Sequence, residues 1–302
     1  MEKGLTENGL AENGRLLRKE TGYPGMKRNR AGELQYLTFP ALEETGVAVH
    51  LVSSRLGGVS TGDCASLNFS YARDPDAAAV DENFRRLARV FGKGPGDFVC
   101  SDQTHTTHVR RVTGADRGKG VTVPRDYREV DGLVTDEPGL ILSTFYADCV
   151  PLLFVDPVRR AVGCSHSGWR GTVEEMGRVT VEAMEEAFGS RPGDIRAAIG
   201  PSICGDCYEV GEEVAQAFLD RFCGERYRFA APEKLVRKKG GGKYLLDLWR
   251  ANEAVLLAAG ILREHLAMTD VCTCCNPGYL FSHRASHGRR GNFGAFIMLR
   301  DF

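Results

Sequence analysis

Short, densely apolar runs alternate along the chain with polar segments rich in glycine and proline. Residues 47–53, 140–146, 151–155 and 161–166 carry almost no charge, as strands covered on both faces do. Shorter runs predict further strands over 34–39, 98–101, 109–113, 132–135, 195–199, 244–247, 268–273 and 295–300. Helical spacing of apolar positions recurs over 79–91, 173–188, 212–222 and 248–259, the last closed by Gly260. Strands outnumber helices and several adjoin through short turns. The pattern predicts an α+β fold, a single domain with mixed β-sheets flanked by helices.

Residues 1–30 break this pattern. The sequence Gly4-Leu5-Thr6-Glu7-Asn8-Gly9 is nearly repeated at 9–14, and basic residues follow. Low hydrophobicity predicts a flexible N-terminal extension over 1–30, with a short helix at 10–20 as the alternative, and places the domain at 31–302. The segment 237–242, Arg-Lys-Lys-Gly-Gly-Gly, reads as a solvated loop. Over all 302 residues the net charge is −1, which gives no electrostatic case for nucleic acid or an anionic membrane. The longest apolar stretch, 140–155, is interrupted by Asp148 and Pro151 and is no membrane span. With a polar N-terminus and no apolar leader, a cytoplasmic chain with reduced thiols is expected.

Against that background Cys149 and His166 stand out. The runs 150–155 and 161–165 are joined by Asp156-Pro157-Val158-Arg159, a type I turn signal. Folding the chain there sets residues whose numbers sum to 315 opposite one another, so Cys149 faces His166, unless a bulge shifts the register. A thiol and an imidazole so placed can share a metal ion or a proton. After His166 comes Gly168-Trp169-Arg170-Gly171, then Thr172-Val173-Glu174-Glu175, a capping-box pattern for a helix over 173–188. Arg170 at that helix start is a candidate for binding phosphate or an oxyanion. A further histidine, His105 or His108 in Gln103-Thr104-His105-Thr106-Thr107-His108, would complete three ligands with a fourth position open, the pattern of catalytic zinc.

Other motifs are less specific. The segment 55–62, Arg-Leu-Gly-Gly-Val-Ser-Thr-Gly, reads as a glycine-rich anion loop or a plain turn, and is not a Walker A sequence. The pairs Cys204/Cys207 and Cys272/Cys275, with Cys274 between the latter two, are much farther apart than zinc-ribbon pairs, and read as small side chains filling tight loops rather than a structural zinc. The cationic, glycine-rich stretch 281–294 either closes over an anionic ligand or forms a flexible hairpin.

Several motifs in order resemble the YfiH-like laccase-domain family, also called the polyphenol oxidase or purine nucleoside phosphorylase family. They are Arg55-Leu-Gly-Gly-Val-Ser, Ser66-Leu-Asn, Gln103-Thr-His105, Val130-Asp131-Gly, Ala147-Asp-Cys149-Val-Pro, His166-Ser-Gly-Trp-Arg-Gly-Thr, Gly200-Pro-Ser-Ile-Cys, Cys207-Tyr-Glu-Val-Gly and Cys272-Thr. The resemblance runs from 34 to 302. It implies zinc on His105, Cys149 and His166, with copper the less favoured metal, and a functional Arg55. It also implies phosphorolysis of adenosine, inosine, guanosine and methylthioadenosine, together with adenosine deamination. Purine nucleosides and phosphate are then the partners, on a monomer or small homo-oligomer. Departures occur at Gln103-Thr-His105-Thr, at Ser165-His166-Ser167 and in 288–294.

Three other functions compete. A metal-free hydrolase would use Cys149 as nucleophile and His166 as base. A copper-dependent polyphenol oxidase would need histidine-rich clusters that the chain lacks. A binding module would hold metal without turning over a nucleoside.

Overall fold

The computed structural model describes residues 15–227 and 230–301. Two six-stranded sheets form the frame. In one, the strands lie in the order Lys27–Ala31, Leu34–Thr38, Ala48–Ser53, Phe293–Leu299, Ile141–Tyr146, Phe98–Cys100. In the other they run Leu266–Met268, Arg196–Ile199, Val150–Asp156, Ala161–Ser167, Gly132–Thr135, Val109–Arg111. Both sheets mix parallel and antiparallel pairs, which is the α+β architecture expected.

The apolar runs are strands because both their faces are covered. Leu142, Ile297, Leu153, Val155 and Val162 pack together between the two sheets. On the outer side of the second sheet, Leu152 and Phe154 meet Val181 and Met184 of the helix Met176–Phe188, Phe218 of Glu212–Phe222 and Leu256 of Leu248–Ala258. On the outer side of the first, Ile141 and Phe296 meet Val80, Phe84 and Leu87 of the helix Ala77–Ala88. Alternate residues of one strand thus enter different cores, so a continuous apolar run is required. Among the described residues no helix is long and apolar enough to cross a membrane.

Four expectations need correction. The near-repeat at 4–14 lies outside the described residues, but residues 15–30 are held against the domain and are not helical. Lys27–Ala31 pairs with Leu34–Thr38, Arg18 bridges Val271, and the Asn276 side chain holds both the N–H and the C=O of Leu17. The helix over 173–188 is two helices, Trp169–Val173 and Met176–Phe188, broken where Glu175 adopts φ 61°. The capping box fails because Thr172 Oγ1 donates to Gly168 O instead. The loop at 237–242 is largely a hairpin, with Val236–Gly240 paired to Lys243–Leu246. Lastly, Asp156 pairs with Ala161 and Pro151 with His166. The connection consumes residues 157–160, with Arg160 at φ 51°. Facing numbers therefore sum to 317, and Cys149 lies just ahead of its strand rather than opposite His166.

Candidate metal centre

His166 sits near the end of the strand Ala161–Ser167 and is almost fully buried. Asp131, buried ahead of the neighbouring strand Gly132–Thr135, lies with a carboxylate oxygen 2.8 Å from His166 Nδ1. Burial works to raise the Asp131 pKa, but His166 and the backbone amides around it hold it below the usual carboxylate value. An ionised Asp131 only accepts, so Nδ1–H donates and His166 Nε2 is left free as a ligand.

The same carboxylate builds the second ligand's loop. It accepts from the backbone N–H of Thr104 at 2.9 Å, of His105 at 3.1 Å and of Thr106 at 3.1 Å. Curled around Asp131, the loop takes His105 into the left-handed region at φ 67°, and brings its ring centroid to 4.9 Å from that of His166. His108 is turned to solvent, and its carbonyl receives the N–H groups of Asp131 and Gly132. His105, not His108, is the histidine brought to the site.

Cys149 completes the set. Its loop is held through Asp148, at φ 101°. The Asp148 carboxylate accepts from Thr273 Oγ1 at 2.6 Å and from the Arg284 N–H at 2.7 Å, and its carbonyl accepts from Ile203 N–H at 3.0 Å. The ligand atoms of His105, Cys149 and His166 all lie within 4.8 Å of one another. Gly168 leaves them room: a Cβ there would stand 3.0 Å from His105 Cδ2 and 3.2 Å from Cys149 Sγ. His105 is exposed, Cys149 half-buried and His166 buried, so the centre opens to solvent on one side.

The electrostatics suit a cation. Burial pushes the Cys149 thiol up, but His166 and His105 outweigh it and bring its pKa down to about 6. Burial lowers His166, while Cys149 and Asp131 raise it to about 9. The protein alone therefore stabilises a thiolate beside an imidazolium, and a divalent cation can replace the shared proton. Two imidazoles and a thiolate fit zinc or copper(I).

The other candidate residues are placed as follows. Arg55 stacks on Phe281 at 4.4 Å, and its guanidinium donates to Ala65 O through Nε and Nη2 and to Pro277 O through Nη1. One N–H on each terminal nitrogen remains beyond these bonds. The glycine-rich segment after it is no anion loop. The N–H of Gly58 goes to Ser66 Oγ, that of Val59 to Asn83 Oδ1 and that of Ser60 to Ser66 O. Arg170 is exposed and lies over the Trp169 ring at 4.4 Å.

Sequence reasoning passed over two residues near Cys149, Arg290 and Tyr208. Arg290, half-buried, has its Nε buried without a hydrogen-bond partner. Burial and the neighbouring Arg73 lower its pKa to about 10, with Asp148 and Cys149 opposing. Tyr208 is also half-buried, with the Arg284 guanidinium 5.5 Å from its ring. Arg290 belongs to the 281–294 stretch, where the choice between closing element and loose hairpin was already the available signal. A recess of about 980 Å³ beside Tyr227, Lys234, Arg250 and Glu253 contains none of the three ligands.

Fold and residue set together describe an α+β protein with a His-Cys-His set suited to a metal ion, and comparison with known proteins gives its family. The family described as "Multi-copper polyphenol oxidoreductase laccase" matches residues 49–300. This chain belongs to that family. It is 36% identical over 254 residues to "Purine nucleoside phosphorylase YlmD" of Bacillus subtilis, covering 82% of this chain and 87% of the relative. It is 37% identical over 210 residues to "Adenosine deaminase RL5" of an unknown prokaryotic organism, covering 69% and 78%. The solved structure of YlmD from Geobacillus stearothermophilus superposes with a TM-score of 0.81 at 34% identity, covering 92% of this chain and all of the other.

Proposed function

We propose that the protein is a zinc-dependent purine nucleoside phosphorylase acting on adenosine, inosine, guanosine and methylthioadenosine, with adenosine deaminase activity at the same centre. The observation that carries this reading is the convergence of His105, Cys149 and His166 on one solvent-open point, with Asp131 fixing both histidines. The names of the relatives, phosphorylase and deaminase, support it.

His105, Cys149 and His166 would hold the ion. When bound, it supplies Lewis acidity for polarising a purine ring atom and for lowering the pKa of water. In phosphorolysis an oxygen of phosphate forms a bond to C1′ of the ribose as the bond to the purine nitrogen breaks, and the purine leaves after gaining a proton. Positive charge develops on the sugar, so an oriented anion stabilises the transition state. Arg290 and Arg55, each with N–H donors to spare, would orient that phosphate. Arg170, exposed at its helix start, would add longer-range attraction. In deamination water adds at C6 and ammonia leaves, giving inosine. Tyr208, with the Arg284 guanidinium over its ring at 5.5 Å, would give the base an aromatic neighbour.

The pair of Cys149 lowered and His166 raised also suits a metal-free hydrolase with a thiolate nucleophile. That reading needs one imidazole beside the thiol, whereas His105 and His166 both converge on Cys149. Cys149→Ala distinguishes the two. The expected result is loss of both nucleoside activities together with the ion bound at this centre. Undiminished turnover with the ion retained would overturn the ligand role.

A further inference from the structure

We propose that Cys204, Cys207, Cys272 and Cys275 form a second, structural zinc site, a tetrathiolate separate from His105, Cys149 and His166. The four sulfurs lie within 4.8 Å of one another. Cys272 follows Cys207 by 65 positions, which hides the site from a reading of spacing alone. Topology closes the gap. The strands Arg196–Ile199 and Leu266–Met268 are parallel neighbours, and Ser202 still bridges Cys272 in parallel beyond their ends. Each strand thus runs out at the same end into a Cys-x-x-Cys turn.

The geometry is that of a metal clip rather than of packed thiols. In a tetrahedron with zinc–sulfur bonds of about 2.3 Å, sulfurs stand about 3.8 Å apart. Cys207 Sγ and Cys275 Sγ are 3.5 Å apart, far beyond the ~2.05 Å of a disulfide, and all four cysteines are free. The Cys204 N–H points at Cys272 Sγ from 3.3 Å, so a backbone donor of the first turn reaches a sulfur of the second. The first turn is closed by Cys207 and Tyr208 N–H groups on Cys204 O, and the second by Asn276 N–H on Thr273 O. Four protein ligands leave no open position, which is the closed arrangement of structural zinc, in contrast to the three-ligand centre.

The clip ties together the supports of Cys149. Ile203, next to Cys204, donates to Asp148 O, and Thr273, next to Cys272, donates to the Asp148 carboxylate. Asn276, next to Cys275, holds Leu17 of the N-terminal segment.

The test is metal analysis and zinc-edge X-ray absorption on the full chain carrying Cys149→Ala, in which the other centre is disabled. One zinc per chain with four sulfurs at about 2.3 Å is expected. No tightly bound zinc, a shell containing nitrogen, iron in place of zinc, or disulfides among the four would each overturn the proposal. Cys204→Ser and Cys275→Ser in the otherwise unaltered protein should lower zinc by one per chain, and Cys274→Ser should not. Because a ligand variant can misfold, hydrogen exchange on unsubstituted protein before and after thiol-specific zinc release supplies a second readout. Exchange at the Ile203 amide should then accelerate. Unchanged protection there would overturn the tie to Asp148.

Discussion

Asp131 and His166 lie carboxylate to imidazole at 2.8 Å, and the same carboxylate gathers three consecutive amides of the loop that carries His105. One buried acid thus orients the ring of one ligand and anchors the backbone of another from a different part of the chain. Replacing it with an isosteric amide keeps the shape but puts an N–H donor where an acceptor is needed. Asp131→Asn should weaken metal binding at this centre by about 10–100-fold, as loss of an outer-sphere partner does. Competition against a chromophoric chelator measures it, and unchanged affinity would show that Asp131 is only a loop brace.

Gly168 adopts φ −73°, an ordinary value for any residue, so its substitution tests space rather than backbone strain. In Gly168→Ala the new methyl must displace His105 or Cys149 Sγ. Metal occupancy at the centre is expected to fall while the melting temperature moves by no more than a few degrees, read by metal analysis and calorimetry on one sample.

The Cys149 pKa gives a pH dependence with a definite sign. Its folded value, about 6, lies below the ordinary thiol value, so thiolate persists down to that pH. His166, raised to about 9, stays protonated through the same window and keeps the pair intact. In metal-stripped protein, alkylation at the Cys149 peptide should fall off as pH drops through about 6. In His166→Gln the midpoint should move up toward the ordinary ~8.5. A midpoint near 8.5 in the unsubstituted protein would contradict the pairing.

Arg290 should matter to one chemistry and not the other. Charged hydrogen bonds are worth about 1.5–3 kcal/mol, so Arg290→Gln should raise KM for phosphate by about tenfold or more. Phosphate-independent formation of inosine should change little. Equal loss of both would place Arg290 in general scaffolding.

Much of the fold was legible because strands buried on both faces carry no charge and few polar side chains, as in 150–155 and 161–166. Edge elements escaped: Lys27–Ala31 is polar and largely exposed, so neither alternation nor hydrophobicity marks it. The nearness of Cys149 and His166 was legible from a short turn, but their register was not, because Arg160 in the left-handed region lengthens the connection. His105 reaches the centre through the carboxylate of Asp131, a contact across sequence that periodicity does not encode. The four-cysteine cluster was hidden for a similar reason, since it depends on two distant strands being parallel neighbours.

The central claim is most directly tested by incubating the zinc-loaded protein with adenosine, with and without phosphate, and separating the products. The expected result is adenine with ribose 1-phosphate only when phosphate is present, and inosine with ammonia in either case. No product from protein with a full metal complement would contradict the nucleoside reading.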